Sequence, residues 1–169
     1  MAHPHAHQGE KRTVRVVTLT ISDTRTEADD KSGALMRELL TGAGFTVVRH
    51  AIVPDEPARV RAEIVRAVEE EHVDGVISTG GTGIAPRDQT YEAVTALLEK
   101  VLDGFGEAFR RLSWDEIGAR AVLSRAVAGT YKTAAVFALP GSTNAVRLGV
   151  EKLVIPVLPH TAALLTPTP

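Results

Sequence analysis

The chain has 169 residues, 44% apolar and 24% charged, with a formal net charge of −2 and only 4% aromatic residues. That length suits one domain with its own core, and the near-neutral, ring-poor composition excludes the basic stacking surface with which proteins grip nucleic acid. Cysteine is absent, which excludes disulfides, thiolate metal sites and cysteine nucleophiles. No apolar run reaches the roughly 18 residues that span a bilayer and no hydrophobic signal segment follows Met1, so no membrane partner is expected and the cytoplasm is the expected location.

Residues 1–12 interleave His3, His5 and His7 with small residues and carry no apolar periodicity. They read as a disordered tail, leaving residues 13–169 as a single domain. Val14 to Ile21 is β-branched and nearly continuous in apolar character, the pattern of a strand covered on both faces. Leu35, Met36, Leu39, Leu40 and Ala43 recur at helical spacing over Ser32 to Ala43. Phe45 to Val53 is a second strand, broken by Pro54-Asp55-Glu56-Pro57, and Val60, Ile64, Val65 and Val68 mark a second helix. Val73 to Thr79 is a short buried strand. Tyr91 to Leu102 and Phe105 to Ile117 read as helical. Val122 to Ala128 and Thr133 to Leu139 read as strands around a turn at Gly129 to Lys132. Ser142 suits the N-cap of a helix bearing Val146, Val150 and Leu153, and Pro156 to Leu165 suits a short last helix. Alternating strands and helices with short connections predict an α/β fold with a largely parallel sheet, in which ligands bind at the carboxyl ends of the strands.

Three loops emerge at that edge: Ser22-Asp23-Thr24, Pro54-Asp55-Glu56, and the stretch from Thr79 to Asp88. Thr79-Gly80-Gly81-Thr82-Gly83 follows a buried strand, and consecutive glycines let backbone N–H groups approach a phosphate; a plain tight turn accounts for the same residues. Arg87 adds a bidentate phosphate donor and Asp88 a carboxylate. Asp88 also fits an acid favoured by a helix dipole, and Asp55 an N-cap. Together, two carboxylates at neighbouring strand ends fit a Mg2+ site for phosphoryl or nucleotidyl transfer. Pro140-Gly141-Ser142 is a further strand-to-loop junction with a hydroxyl.

In one order along the chain stand Thr20-Ile-Ser22-Asp23, Val53-Pro-Asp55-Glu56, Ser78-Thr-Gly-Gly-Thr-Gly83, Arg87-Asp88-Gln-Thr90, Gly104-Phe-Gly-Glu-Ala-Phe-Arg110, Leu112-Ser113, Leu123-Ser-Arg-Ala126 and Leu139-Pro-Gly-Ser142. Taken together they resemble the MoaB/MogA family of molybdenum-cofactor biosynthesis proteins, and Arg110 to Gly118 with Ser124 to Gly129 look more like its MoaB branch. The resemblance implies a three-layer α/β/α sandwich with the molybdopterin-binding fold, assembled as a homotrimer or hexamer. It implies the adenylylation of molybdopterin by Mg-ATP, with Asp55 and Asp88 catalytic and holding Mg2+. Thr79, Gly80, Gly81, Thr82, Gly83, Arg87, Pro140, Gly141 and Ser142 would bind nucleotide and phosphate, and Ser22, Asp23, Ser113, Ser124 and Arg125 molybdopterin. Handover to a metal-inserting MoeA-type protein would follow. The alternative is a non-catalytic oligomer that binds molybdopterin or a nucleotide in the same pathway.

Overall fold

Apolar residues on both sides of the central strands require helices on both sides of the sheet, and the chain folds accordingly. The computed structural model describes residues 12–167, so the tail expected over residues 1–12, with its three histidines, lies outside the described residues except for Arg12, which pairs with Asp74. Strands Arg15–Ile21 (β1), Thr46–Val53 (β2), Gly75–Thr79 (β3), Lys100–Val101 (β4), Val127–Tyr131 (β5) and Ala134–Leu139 (β6) form one sheet in the order β2-β1-β3-β6-β5-β4. The pairs β1–β2, β1–β3 and β3–β6 are parallel, and β5 runs antiparallel to both β6 and β4.

Alternation along each strand sorts the side chains into two cores. Val16, Ile77, Phe137 and Leu139 point to one face, under the helices Lys31–Gly42 (α1) and Asp103–Ile117 (α4) and the C-terminal helical run. Phe105 meets Phe137 edge-on there, with ring centroids 5.4 Å apart. Val17, Leu19, Val76, Val136 and Ala138 point to the other face, under Pro57–Glu69 (α2) and Thr90–Thr95 (α3). The result is the expected α/β/α sandwich.

The structure corrects the sequence reading at three places. The helix expected from Tyr91 to Leu102 ends at Thr95, because Lys100 and Val101 pair with Thr130 and Gly129 of β5. The strand expected at Val122 to Ala128 starts only at Val127; a 3-10 helix, Gly118–Leu123, precedes it, and the turn falls at Lys132, whose φ is +50°, while Gly129 lies within the strand. The last two expected helices are one. Thr143–Gly149 (α5) continues through a π-helical segment, Val150–Val154, into Ile155–Leu165 (α6). The wider winding just before Pro156 gives its ring room against the preceding carbonyls. The joined helix, Thr143–Leu165, has 23 residues and is long and apolar enough to cross a membrane. Its residues Val146, Val150, Val154, Leu158 and Ala162 are buried in the fold.

Register decides where the loops go. Thr20 of β1 stands opposite Thr79 of β3, and Thr79 opposite Leu139 of β6, so three parallel strands end level with one another. Replacing Phe137 by Ala is expected to lower the unfolding free energy by about 3–5 kcal/mol, measured by urea denaturation, because its ring is fully buried between sheet and α4.

Candidate functional site

A cavity of about 490 Å³ opens over those three strand ends. Ile21 and Ser22 line it from β1, Gly80, Gly81, Thr82, Gly83 and Asp88 from the loop after β3, and Pro140, Gly141 and Ser142 from the loop after β6. The opposite wall comes from α4 and the 3-10 helix, through Phe109, Ser113, Ile117, Leu123 and Ser124, with Leu148 of α5 completing the apolar part. One side is therefore rich in backbone and hydroxyl groups, and the other sets Phe109, Ile117, Leu123 and Leu148 among Ser113, Glu116, Arg120 and Ser124.

The glycine loop is held from behind. Gly80 and Gly81 have φ of +101° and +69°, and a Cβ on Gly81 would stand 2.0 Å from Thr90 Oγ1 and 2.5 Å from Asp55 Oδ2. Glycine is required there for conformation and for space. The Gly81 carbonyl accepts from Thr90 N (3.0 Å). The Gly83 carbonyl accepts from Arg125 Nη2 (2.6 Å) and Nε (3.1 Å), and the Thr82 carbonyl from Arg125 Nε (3.2 Å). In a trans peptide the N–H points opposite to the C=O. Thr82 and Gly83 N–H groups are thereby turned away from Thr90 and Arg125; both residues line the cavity, and neither N–H has an acceptor among the described residues. Successive N–H groups left open in this way form an anion-binding concavity.

The two aspartates stand against different glycines. Asp55, only 5% exposed, caps no helix: Glu56 holds the N-cap position of α2 without a side-chain bond. The Asp55 carboxylate instead accepts from Gln89 N (3.3 Å) and Thr90 Oγ1 (3.2 Å), behind the loop and outside the cavity lining. Burial raises its pKa above the usual carboxylate value; the bonds from Gln89 and Thr90 oppose that, and the charges of Asp88 and Asp23 add to it. Asp88 does line the cavity. It does not act as a helix cap either, because Gln89 takes that position and Asp88 Oδ2 accepts from Ala85 N (3.0 Å) across the turn.

Several sequence-predicted residues have other employment. Arg87 is committed to Asp23 by two bonds, Nε to Oδ2 at 2.6 Å and Nη2 to Oδ1 at 2.7 Å, and neither residue lines the cavity. That pairing lowers the Asp23 pKa and raises that of Arg87. Asp23 Oδ1 also accepts from Asp55 N (3.1 Å), tying two loops together. Arg125, expected near the pterin, lies under the glycine loop, paired with Glu92 and 4.9 Å above the Tyr91 ring centroid. Thr79 is buried and donates to the Pro140 carbonyl (2.9 Å), fastening the ends of β3 and β6. Ser142 caps α5 through Ala145 N (3.1 Å). Sequence reasoning missed Arg25, Phe109, Glu116, Arg120, Asn144 and Leu148 as lining residues. Arg25 sits three residues beyond Ser22, a spacing that flags it; the others join the wall only through helix packing.

A magnesium ion carried on nucleotide phosphates needs one or two protein carboxylates. Asp88, facing the cavity, fits that need, whereas both Asp55 oxygens already accept hydrogen bonds. Among the described residues no group of three or more His, Asp or Glu side chains is placed to hold a metal alone.

An α/β/α sandwich with a glycine loop at the level carboxyl ends of its parallel strands defines the class of α/β proteins that take their ligands at that sheet edge. The family described as "Probable molybdopterin binding domain" matches residues 17–160. The molybdenum cofactor biosynthesis protein B of Bacillus anthracis is 49% identical over 157 residues, covering 92% of each chain. A crystal structure of a molybdenum cofactor biosynthesis protein B superposes with a TM-score of 0.89 at 47% identity, over 93% of this chain and 98% of that one. The tungsten cofactor synthesizing protein MoaB of Pyrococcus furiosus superposes at 0.81 with 39% identity, over 89% and 98%. The chain belongs to the MoaB/MogA family of molybdenum-cofactor biosynthesis proteins, and its role lies in that biosynthesis.

The raised pKa of Asp55 sets a stability test. A carboxyl whose pKa is higher folded than unfolded binds its proton more tightly in the native state, so its ionisation costs stability as pH rises from the ordinary value, 3.8, through the folded one. Asp55→Asn is expected to unfold at the same or a higher temperature than wild type at pH 7, with wild type gaining on the variant as pH falls through that window. Thermal melts of both proteins across the acid range check it.

Proposed function

We propose that the protein adenylylates molybdopterin at the expense of Mg-ATP, releasing pyrophosphate. The observation that carries this reading is the glycine loop, whose Thr82 and Gly83 N–H groups stay without acceptors beside a cavity-lining Asp88, across from the apolar side chains of Phe109, Ile117, Leu123 and Leu148. In the reaction a phosphate oxygen of molybdopterin bonds to the α-phosphorus of ATP, and the bond from that phosphorus to the bridging oxygen of the β-phosphate breaks. The attacking oxygen is already anionic, so positioning and charge neutralisation carry the rate and no general base is needed.

The chain's groups divide the work. Loop N–H groups neutralise phosphate charge, while Ser22 and Ser142 offer hydroxyls at neighbouring strand ends. Phe109, Ile117, Leu123 and Leu148 supply an apolar surface for a flat heterocycle, with Ser113 and Ser124 able to bond its polar edge. Magnesium, held by Asp88 and the nucleotide phosphates, would supply charge neutralisation of the pyrophosphate leaving group. Asp55 acts from behind, fixing the return of the loop through Gln89 and Thr90. In this reading the protein works as a trimer or hexamer and passes its product to a metal-inserting MoeA-type protein. Exposed apolar side chains at Trp114, Val122 and Leu164 support self-association.

The second reading, a binding protein without turnover, draws on the commitment of Arg87 to Asp23, which withholds one cation from the nucleotide. Incubation with molybdopterin and Mg-ATP separates the two: pyrophosphate and adenylylated product support adenylylation, and binding without either overturns it. Asp88→Asn is expected to retain molybdopterin binding while turnover falls by at least about a hundredfold, and turnover near the wild-type value would remove Asp88 from the mechanism.

A further inference from the structure

Two of the arginines near this cavity are occupied elsewhere: Arg87 pairs with Asp23, and Arg125 pairs with loop carbonyls and Glu92. The arginines that line the cavity are Arg25 and Arg120. Arg120 is an exposed residue of the 3-10 helix, beside Glu116. Arg25 differs in being anchored. Its backbone N donates to Ser22 Oγ (3.0 Å), its Nη2 lies 3.4 Å from the Gly141 carbonyl, and its Nη1 lies 3.7 Å from Asp30 Oδ1.

The anchor itself is rigid. Asp30 is buried, caps α1 through Gly33 N (3.0 Å), and accepts from Thr20 Oγ1 (2.8 Å). His50 Nε2 stands 2.9 Å from the same Oδ2 that accepts from Thr20, and His50 Nδ1 is 2.8 Å from Thr18 Oγ1. Burial alone raises the Asp30 pKa, but the bonds from Thr20, Gly33 and His50 outweigh it and leave the value lowered. A fixed negative charge therefore stands behind Arg25. The guanidinium has five N–H donors, and its contacts with Gly141 and Asp30, both long, leave most of them for a ligand. It also stands next to the glycine loop, because Gly141 packs on Gly80: a Cβ on Gly141 would lie 3.4 Å from Gly80 Cα.

We propose that Arg25 is the specificity-determining cation of this cavity, recognising a phosphate or diphosphate group seated on the glycine loop, with Asp30 holding its guanidinium in place. The inference rests on the cavity taking a phosphorylated ligand and does not depend on adenylyl transfer. Planar, anchored guanidinium groups bind phosphate bidentately, which lysine cannot reproduce.

The test is calorimetric titration of the full chain with inorganic pyrophosphate at about 50 and 200 mM salt, a range over which exposed charges become screened. Expected is a graded loss of affinity from wild type through Arg25→Lys to Arg25→Gln, reaching about tenfold or more in Arg25→Gln with a weakened salt dependence. Thermal melts of both variants establish that they are folded. Affinities of both variants within about twofold of wild type, or no saturable binding to wild type, overturn the assignment. Pyrophosphate release by wild type from molybdopterin and Mg-ATP, measured alongside, separates the two ideas. Product without the graded loss removes Arg25 alone, and graded loss without product removes adenylyl transfer alone.

Discussion

A buried carboxylate, that of Asp55, ties the glycine loop to the end of β2, and the site depends on that tie. The loop leaves β3 at Thr79 and must return over the sheet edge to begin α3 at Thr90. Asp55 receives both Gln89 N and Thr90 Oγ1 at the point of return, and Thr90 N closes onto the Gly81 carbonyl. An unpaired carboxylate in that position would cost more than the fold gains from burying it. Its hydrogen bonds to the loop recover part of the cost and fix the path of the chain.

Once the return is fixed, the peptide orientations follow. Thr90 N takes up the Gly81 carbonyl and Arg125 that of Thr82, so the N–H groups of Thr82 and Gly83 face the other way. The charge of Arg125 is used to aim neutral dipoles, and the Asp23–Arg87 pair holds the outer loops together. Preorganised dipoles of this kind need no rearrangement when an anion arrives, which is the property an electrostatic catalyst requires. The charged groups nearest the loop thus serve mostly to hold backbone in place.

The two hydrophobic cores supply the rigidity behind this arrangement. Because β1, β3 and β6 are parallel and their last residues share one register, three loops meet at one level without any long connection. The antiparallel pair β5–β4 sits to one side and carries α4 into place as the opposite wall of the cavity. Under the proposed adenylyl transfer, the apolar patch of Phe109, Ile117, Leu123 and Leu148 on that wall would face the heterocycle and the glycine loop the phosphate ester.

Local chemistry in the sequence determined a good deal: the buried strands at Val16 to Ile21 and Val76 to Thr79, the amphipathic helices α1 and α2, the cap at Ser142, the glycine loop, and the family motifs that run through all of them. These are features of period, propensity and turn residues, which neighbouring residues set. Tertiary structure decided what a charged side chain does with its partners. Nothing local distinguishes Asp55 as an N-cap from Asp55 as a loop anchor, or Arg87 as a phosphate donor from Arg87 as the partner of Asp23, because both partners arrive from distant strand ends. The same holds for the segment after Thr95, where pairing of Lys100 and Val101 with β5 overrode helical periodicity, and for Arg25, whose anchoring needs Asp30 and Gly141 from elsewhere in the fold. Long-range hydrogen bonds and ion pairs are set by which chain ends the sheet brings level, and that is a property of the packed whole.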